Sequence, residues 1–134
     1  LNDSANGLQG LHTYTAALRE IFDTLRENGL EALFLTPNMM ATEVDCHMQP
    51  GVIRDAAEMC VGVQNTGVLD AYIDAARALC AEHGVPVCDC YAIWKRLHAL
   101  GVDTNALLSN QINHPTREMN WLFACELAKC ILAL

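Results

Sequence analysis

The sequence predicts an α/β domain built on a parallel sheet. Two short apolar runs, Ala32-Leu33-Phe34-Leu35 and Val85-Pro86-Val87-Cys88-Asp89, are continuous rather than alternating, as strands covered on both faces are. Amphipathic stretches of helical period flank them. Strands and helices then alternate along the chain, an order that implies right-handed βαβ units.

The elements follow in turn. Leu1-Asn2-Asp3 reads as the end of a buried strand, with polar residues leaving the sheet edge. Tyr14, Leu18, Ile21, Phe22 and Leu25 recur at helical spacing, predicting a helix from about Thr13, its N-cap, to Asn28, with Gly29 as the C′ stop. The strand Ala32–Leu35 ends at Thr36-Pro37-Asn38. Residues 39–67 carry no single period. Pro50-Gly51 breaks them, a short helix is expected from Val52 to Met59, and Asn65-Thr66-Gly67 closes the segment. A second clear helix spans Val68 to Glu82, with Ala71, Tyr72, Ala75 and Leu79 inward, and His83-Gly84 ends it. Pro86 stands near the start of the next strand, where a missing N–H is tolerated. A shorter helix from Ala92 to Leu100 stops at Gly101. The last helix runs from about Arg117 to Ala133, with Trp121, Leu122, Cys125, Ala128 and Leu132 as its expected core stripe.

Composition narrows the function. Hydrophobic residues make up 52% of the 134 and charged ones 18%, ample for a core and unlike a disordered chain. Eight Lys+Arg stand against sixteen Asp+Glu, a net charge of −8. That balance argues against nucleic acid and anionic membrane surfaces, which both call for basic clusters. The apolar stretches are short and broken by charge, so no membrane span is expected. Seven cysteines, an odd number, several inside apolar segments, suit a reducing, cytoplasmic setting. Cys46-His47 and Cys88-Asp89-Cys90 are the only hint of metal. They lack the paired C-x-x-C spacing of a structural zinc site, so core and loop thiols are the expectation, with neither metal nor other cofactor.

In parallel sheets ligands bind outside the carboxyl ends of the strands. Asn2-Asp3, Thr36-Pro37-Asn38 and Asp89 each close a predicted strand. His114 lies in the polar loop Leu107-Leu108-Ser109-Asn110-Gln111-Ile112-Asn113-His114-Pro115-Thr116, which leads into the last helix. A histidine at such a junction can offer a ring nitrogen as general base. Four polar tips are therefore expected on one edge.

These residues resemble a known family. Leu1-Asn2-Asp3 is similar to the end of the third block, Gly-x-Asn-Asp, of SGNH/GDSL-type hydrolases. Asn113-His114-Pro115-Thr116 is similar to the fifth block, where a His-Pro pair precedes the last helix. Asp-x-Tyr-x-x-Trp at Asp89 to Trp94, with Asn-x-x-Asn-His-Pro at Asn110 to Pro115, resembles one bacterial branch. The resemblance implies a flavodoxin-like three-layer α/β/α sandwich and a serine esterase or acylhydrolase. It implies His114 as general base and Asn2 as a side-chain donor to the oxyanion. It implies a small ester as substrate, with an O-acylated carbohydrate the favoured one.

Two departures accompany it. The family places an Asp three residues before the His, and Gln111 stands there. Gln111 itself, Asp89 or Asp103 is then the candidate orienter of the imidazole. The family's nucleophile sits in a Gly-Asp-Ser block that is absent; Ser4 and Ser109 are the only serines, and neither has a strand-turn-helix context. The chain accordingly reads as the C-terminal portion of a single domain, with the first strands and the nucleophile on an N-terminal half. Alone it is expected to be inert. The alternative is a non-catalytic flavodoxin-like binding or assembly module. A third reading is a metal-dependent protein using Cys46, His47, Cys88 and Cys90.

Overall fold

The computed structural model describes residues 1–133. Helices dominate, at 61% of residues. After two 3-10 turns at Asn2–Asn6 and Leu8–Gly10, the elements are α1 (Leu11–Glu27), β1 (Phe34–Leu35), α2 (Val52–Asn65), α3 (Val68–His83), β2 (Val87–Cys88), α4 (Cys90–Ala99), a 3-10 turn at Asn105–Leu107, and α5 (Asn120–Leu132).

The expected three-layer flavodoxin-like sandwich is not present. Only β1 and β2 are strands, each of two residues. They pair in parallel, Phe34 with Val87 and Leu35 with Cys88. Their relative direction is thus as the apolar runs predicted, but a two-stranded ribbon is not a layer. A parallel pair buries too little to hold itself together, so the core here is made by helices. Nor does Leu1-Asn2-Asp3 end a strand; Asn2 begins the first 3-10 turn.

Two apolar clusters form that core. In one, Leu18 and Phe22 of α1 meet Ala76, Leu79 and Cys80 of α3, with Phe34 and Val87 of the strands against them. Side chains alternate along a strand, and Cys88 accordingly points the other way, toward Cys130 of α5. The larger cluster gathers Met39, Met40, Ala41, Ala57, Cys60, Leu69, Ile73, Tyr91, Trp94, Leu108 and Ile112.

Element ends follow local chemistry. Gly29 and Gly84 take φ of 67° after α1 and α3, the left-handed conformation a glycine adopts without a Cβ penalty. Asp89 caps α4, accepting a hydrogen bond from the Ala92 amide at 3.1 Å. Thr13 is not the cap of α1; the helix starts two residues earlier, after Gly10. Helix α2 runs on to Asn65, past the expected Met59, because Ala57, Cys60, Val63 and Gln64 continue a buried stripe.

The last helix departs most. Trp121 and Leu132, expected in its core stripe, are 72% and 88% exposed. Cys125 and Ala128 are exposed as well, and only Leu122 of that stripe is half-buried. The helix is apolar nearly all round, so its sequence does not specify which face turns inward. No described helix is long and apolar enough to cross a membrane.

Candidate functional site

The segment after β1 is irregular yet buried. Thr36, Asn38, Met39, Met40 and Ala41 are all nearly inaccessible. Buried backbone needs partners, and amide side chains supply several. Gln64 Oε1 accepts from the Met40 amide at 2.9 Å and Asn105 Oδ1 from the Thr42 amide at 2.9 Å. Asn65 Nδ2 donates to the Thr42 carbonyl at 2.8 Å, and Asn38 Nδ2 to the Met39 carbonyl at 2.7 Å. The Ala41 amide reaches the Ile112 carbonyl at 2.8 Å.

The His114 loop is built on this segment. Asn38 Nδ2 also donates to the Asn113 carbonyl at 2.9 Å. Within the loop, Leu108 and Pro115 form an antiparallel bridge. Asn110 Oδ1 accepts from three successive amides, Ile112 at 3.1 Å, Asn113 at 3.0 Å and His114 at 3.0 Å. Leu108 and Ile112 anchor the loop in the core. Gln111 takes φ of 55°, a left-handed conformation costly for a residue with a Cβ and held here by the bonds on either side. The backbone at His114 is thereby fixed while His114 itself is exposed. Among the described residues no hydrogen bond holds its ring. Asn110, in the sequence only the first residue of a resembling motif, proves to be the residue that holds this loop. Its signal was an Asn four residues before the His, able to gather turn amides.

Asn2 is exposed in the first 3-10 turn. Its neighbours Leu1 and Asp3 line a hollow with Phe34, Leu35 and Pro37, which lies at the carboxyl end of β1. Pro37 thus lines the same hollow as the residues on either side of Asn2, and the next residue, Asn38, bonds the residue before His114.

The candidate orienters separate from His114. Asp89 is engaged elsewhere, taking two bonds of 2.9 Å from Arg77 and one of 3.0 Å from Thr36 Oγ1. Gln111 and Asp103 line a different hollow, with Glu43, Asp45 and Cys46. Asp103 Oδ1 there caps the turn at Asn105 and Ala106. Neither serine is placed as a nucleophile. Ser4 is buried and donates to the Leu1 carbonyl at 2.6 Å, while Ser109 donates to the His114 carbonyl at 3.3 Å. The metal quartet also divides. Cys88 and Cys90 are buried beside each other, with Sγ atoms 4.0 Å apart, whereas Cys46 and His47 lie on an exposed turn. A roomier hollow, about 530 Å³, opens at the amino ends of both strands and includes none of the candidate residues.

Asp89 has a role of its own. Burial pushes its carboxyl up, but the Arg77 guanidinium, the Ala92 amide and the Thr36 hydroxyl outweigh burial and hold it below the usual carboxylate range. Thr36 in turn accepts from the Tyr91 amide at 2.8 Å, so this cluster ties the end of β1 to α4. Asp89→Asn keeps the helix cap and removes the charge. With Asp89 about one-third exposed, the expected loss is roughly 1–2 kcal/mol at neutral pH. A depressed carboxylate stabilises above its unfolded pKa and loses that contribution as pH falls through the folded one. The gap between the two proteins should accordingly shrink below about pH 4. Urea unfolding across pH 7 to 3 measures it; a gap unchanged with pH would contradict the assignment.

No family model, curated protein or solved structure matches the chain.

Proposed function

We propose that the chain is part of a serine esterase or acylhydrolase in which His114 is the general base and Asn2 an oxyanion donor. One observation carries the reading. The two motif segments, far apart in sequence, both lie by the residues that follow β1: the Asn113 carbonyl is bonded by Asn38, and Leu1 and Asp3 line a hollow with Pro37. The reading rests on these loops and the resemblance of their residues, and needs no multi-stranded sheet.

The chemistry follows from the residues. An exposed imidazole on an immobilised backbone can take the proton of an attacking hydroxyl and return it to the leaving alcohol. The Asn2 amide can donate to the oxygen that gains charge in the tetrahedral intermediate. With Asp89 bound to Arg77 and Gln111 turned to another hollow, His114 works as the base of a Ser–His dyad. Ser4 and Ser109 are both committed to carbonyls, so the nucleophilic serine comes from outside these 134 residues. The substrate is a small ester, a short acyl group on a carbohydrate being the favoured case by analogy alone.

Hydrolysis of p-nitrophenyl acetate tests this. The 134-residue chain alone should show no turnover. Joined to a serine-bearing N-terminal half encoded in the same reading frame, it should be active. There Asn2→Ala should lower kcat on the order of a hundredfold. Turnover by the chain alone, or an unaffected Asn2→Ala enzyme, would end the assignment.

A further inference from the structure

A second constellation lies on the turn that follows the buried segment. Asp45, Cys46 and His47 each present a ligand atom, a carboxylate oxygen, Sγ and a ring nitrogen, all within 4.8 Å of one another. We propose that this turn binds a thiophilic divalent cation, with Zn²⁺ the best fit. The proposal is independent of the hydrolase reading.

The backbone of the turn is held before any ion arrives. The Met48 amide donates to the Asp45 carbonyl at 3.0 Å and the His47 amide to Asp45 Oδ1 at 2.8 Å. Arg54 Nη1 ties the Met48 carbonyl from α2 at 2.9 Å. These bonds use backbone groups and one carboxylate oxygen. They leave Asp45 Oδ2, the Cys46 thiol and the His47 ring, and Cys46 and His47 are both exposed.

The donor set selects the ion. Thiolate with imidazole suits Zn²⁺ and disfavours Mg²⁺ and Ca²⁺, which take oxygen ligands. Tetrahedral zinc, with bonds of about 2.0–2.3 Å, places its ligand atoms roughly 3.5 Å apart. Closing from a spread of at most 4.8 Å calls for side-chain torsions only, on two exposed residues. Three protein ligands leave the fourth position to water or to a further carboxylate. The adjoining hollow, about 320 Å³, supplies Glu43 and Asp103, and the one cation bonded to the turn among the described residues, Arg54, is ion-paired with Glu58. Binding converts the Cys46 thiol to a metal-bound thiolate and releases one proton to solvent, with His47 ligating as neutral imidazole.

Titration of the reduced 134-residue chain with Zn²⁺, and with Co²⁺ as a spectroscopic probe, tests the site. One equivalent of Co²⁺ should produce a thiolate-to-cobalt charge-transfer band in the near ultraviolet. Calorimetry in buffers of different protonation enthalpy should show proton release on Zn²⁺ binding. Cys46→Ser should abolish the band, and Cys46→Ser and His47→Ala should each weaken Zn²⁺ at least tenfold with the far-ultraviolet circular dichroism unchanged. Cys125→Ser, on exposed α5, should change neither. Absence of stoichiometric binding at micromolar metal, or binding that survives Cys46→Ser, would overturn the proposal.

Discussion

If the chain is part of the proposed hydrolase, His114→Ala in the assembled enzyme should lower kcat for a short-chain ester by a thousandfold or more while leaving the fold intact. The base and the serine it activates act as a unit, so losing either removes nearly all of their joint contribution. A thousandfold corresponds to about 4 kcal/mol of transition-state stabilisation. Folding should not suffer, because the loop is held through the His114 backbone and the buried Leu108 and Ile112, not through the ring. Gln111→Ala is the matched control. Its side chain lines the hollow shared with Asp45 and Cys46, so it should cost little activity. Steady-state kinetics on both variants, with circular dichroism to check the fold, decide the matter. An active His114→Ala enzyme would remove the base from the mechanism.

Trp94→Ala should be the most damaging single change to stability, at about 3–5 kcal/mol. Trp94 is fully buried on α4, among the larger apolar cluster. No neighbour can fill the space an indole leaves, and a small domain holds only some 5–15 kcal/mol in all. Its Nε1–H meets no acceptor among the described residues, and a buried donor without a partner itself costs about 1–3 kcal/mol. Trp94→Phe deletes that donor and keeps most of the ring, so it should fall well short of the alanine loss. Denaturant midpoints of the three proteins order them. An alanine variant within 1 kcal/mol of the parent would show that the core closes around the gap.

The apolar runs and helical periods were legible because each depends on neighbours in sequence. Leu18 and Phe22 of α1, Tyr72 and Leu79 of α3, and the parallel sense of Phe34 and Val87 are readable in that way, whereas Ile21, read into the same α1 stripe, is exposed. The extent of the sheet is not, since a strand needs partners that only the whole fold supplies. The face of α5 is illegible for another reason: Trp121, Leu122, Phe123, Cys125 and Leu132 offer no polar side to mark what turns outward. At the candidate site, His114 stood out by residue type and context. Asn110, which holds its backbone, did not, because an Asn in a polar loop is unremarkable until its three amide partners are placed. Asp89 is the opposite case. A carboxylate at a strand end suggests catalysis, and only the position of Arg77 shows that it is spoken for.

The buried stretch from Thr36 to Thr42 has a consequence for the order in which the molecule folds. Its amides and carbonyls find partners on α2, at Asn105 and at Ile112, spread over some seventy positions of the chain. None of those bonds can form until the distant elements have arrived, and contacts of long sequence separation form slowly. The individual helices, whose backbone bonds are local, can be in place while this stretch is still unsettled. Asn38, and through it the His114 loop, is therefore set late, and competence at the site would be acquired after most of the helical content rather than along with it.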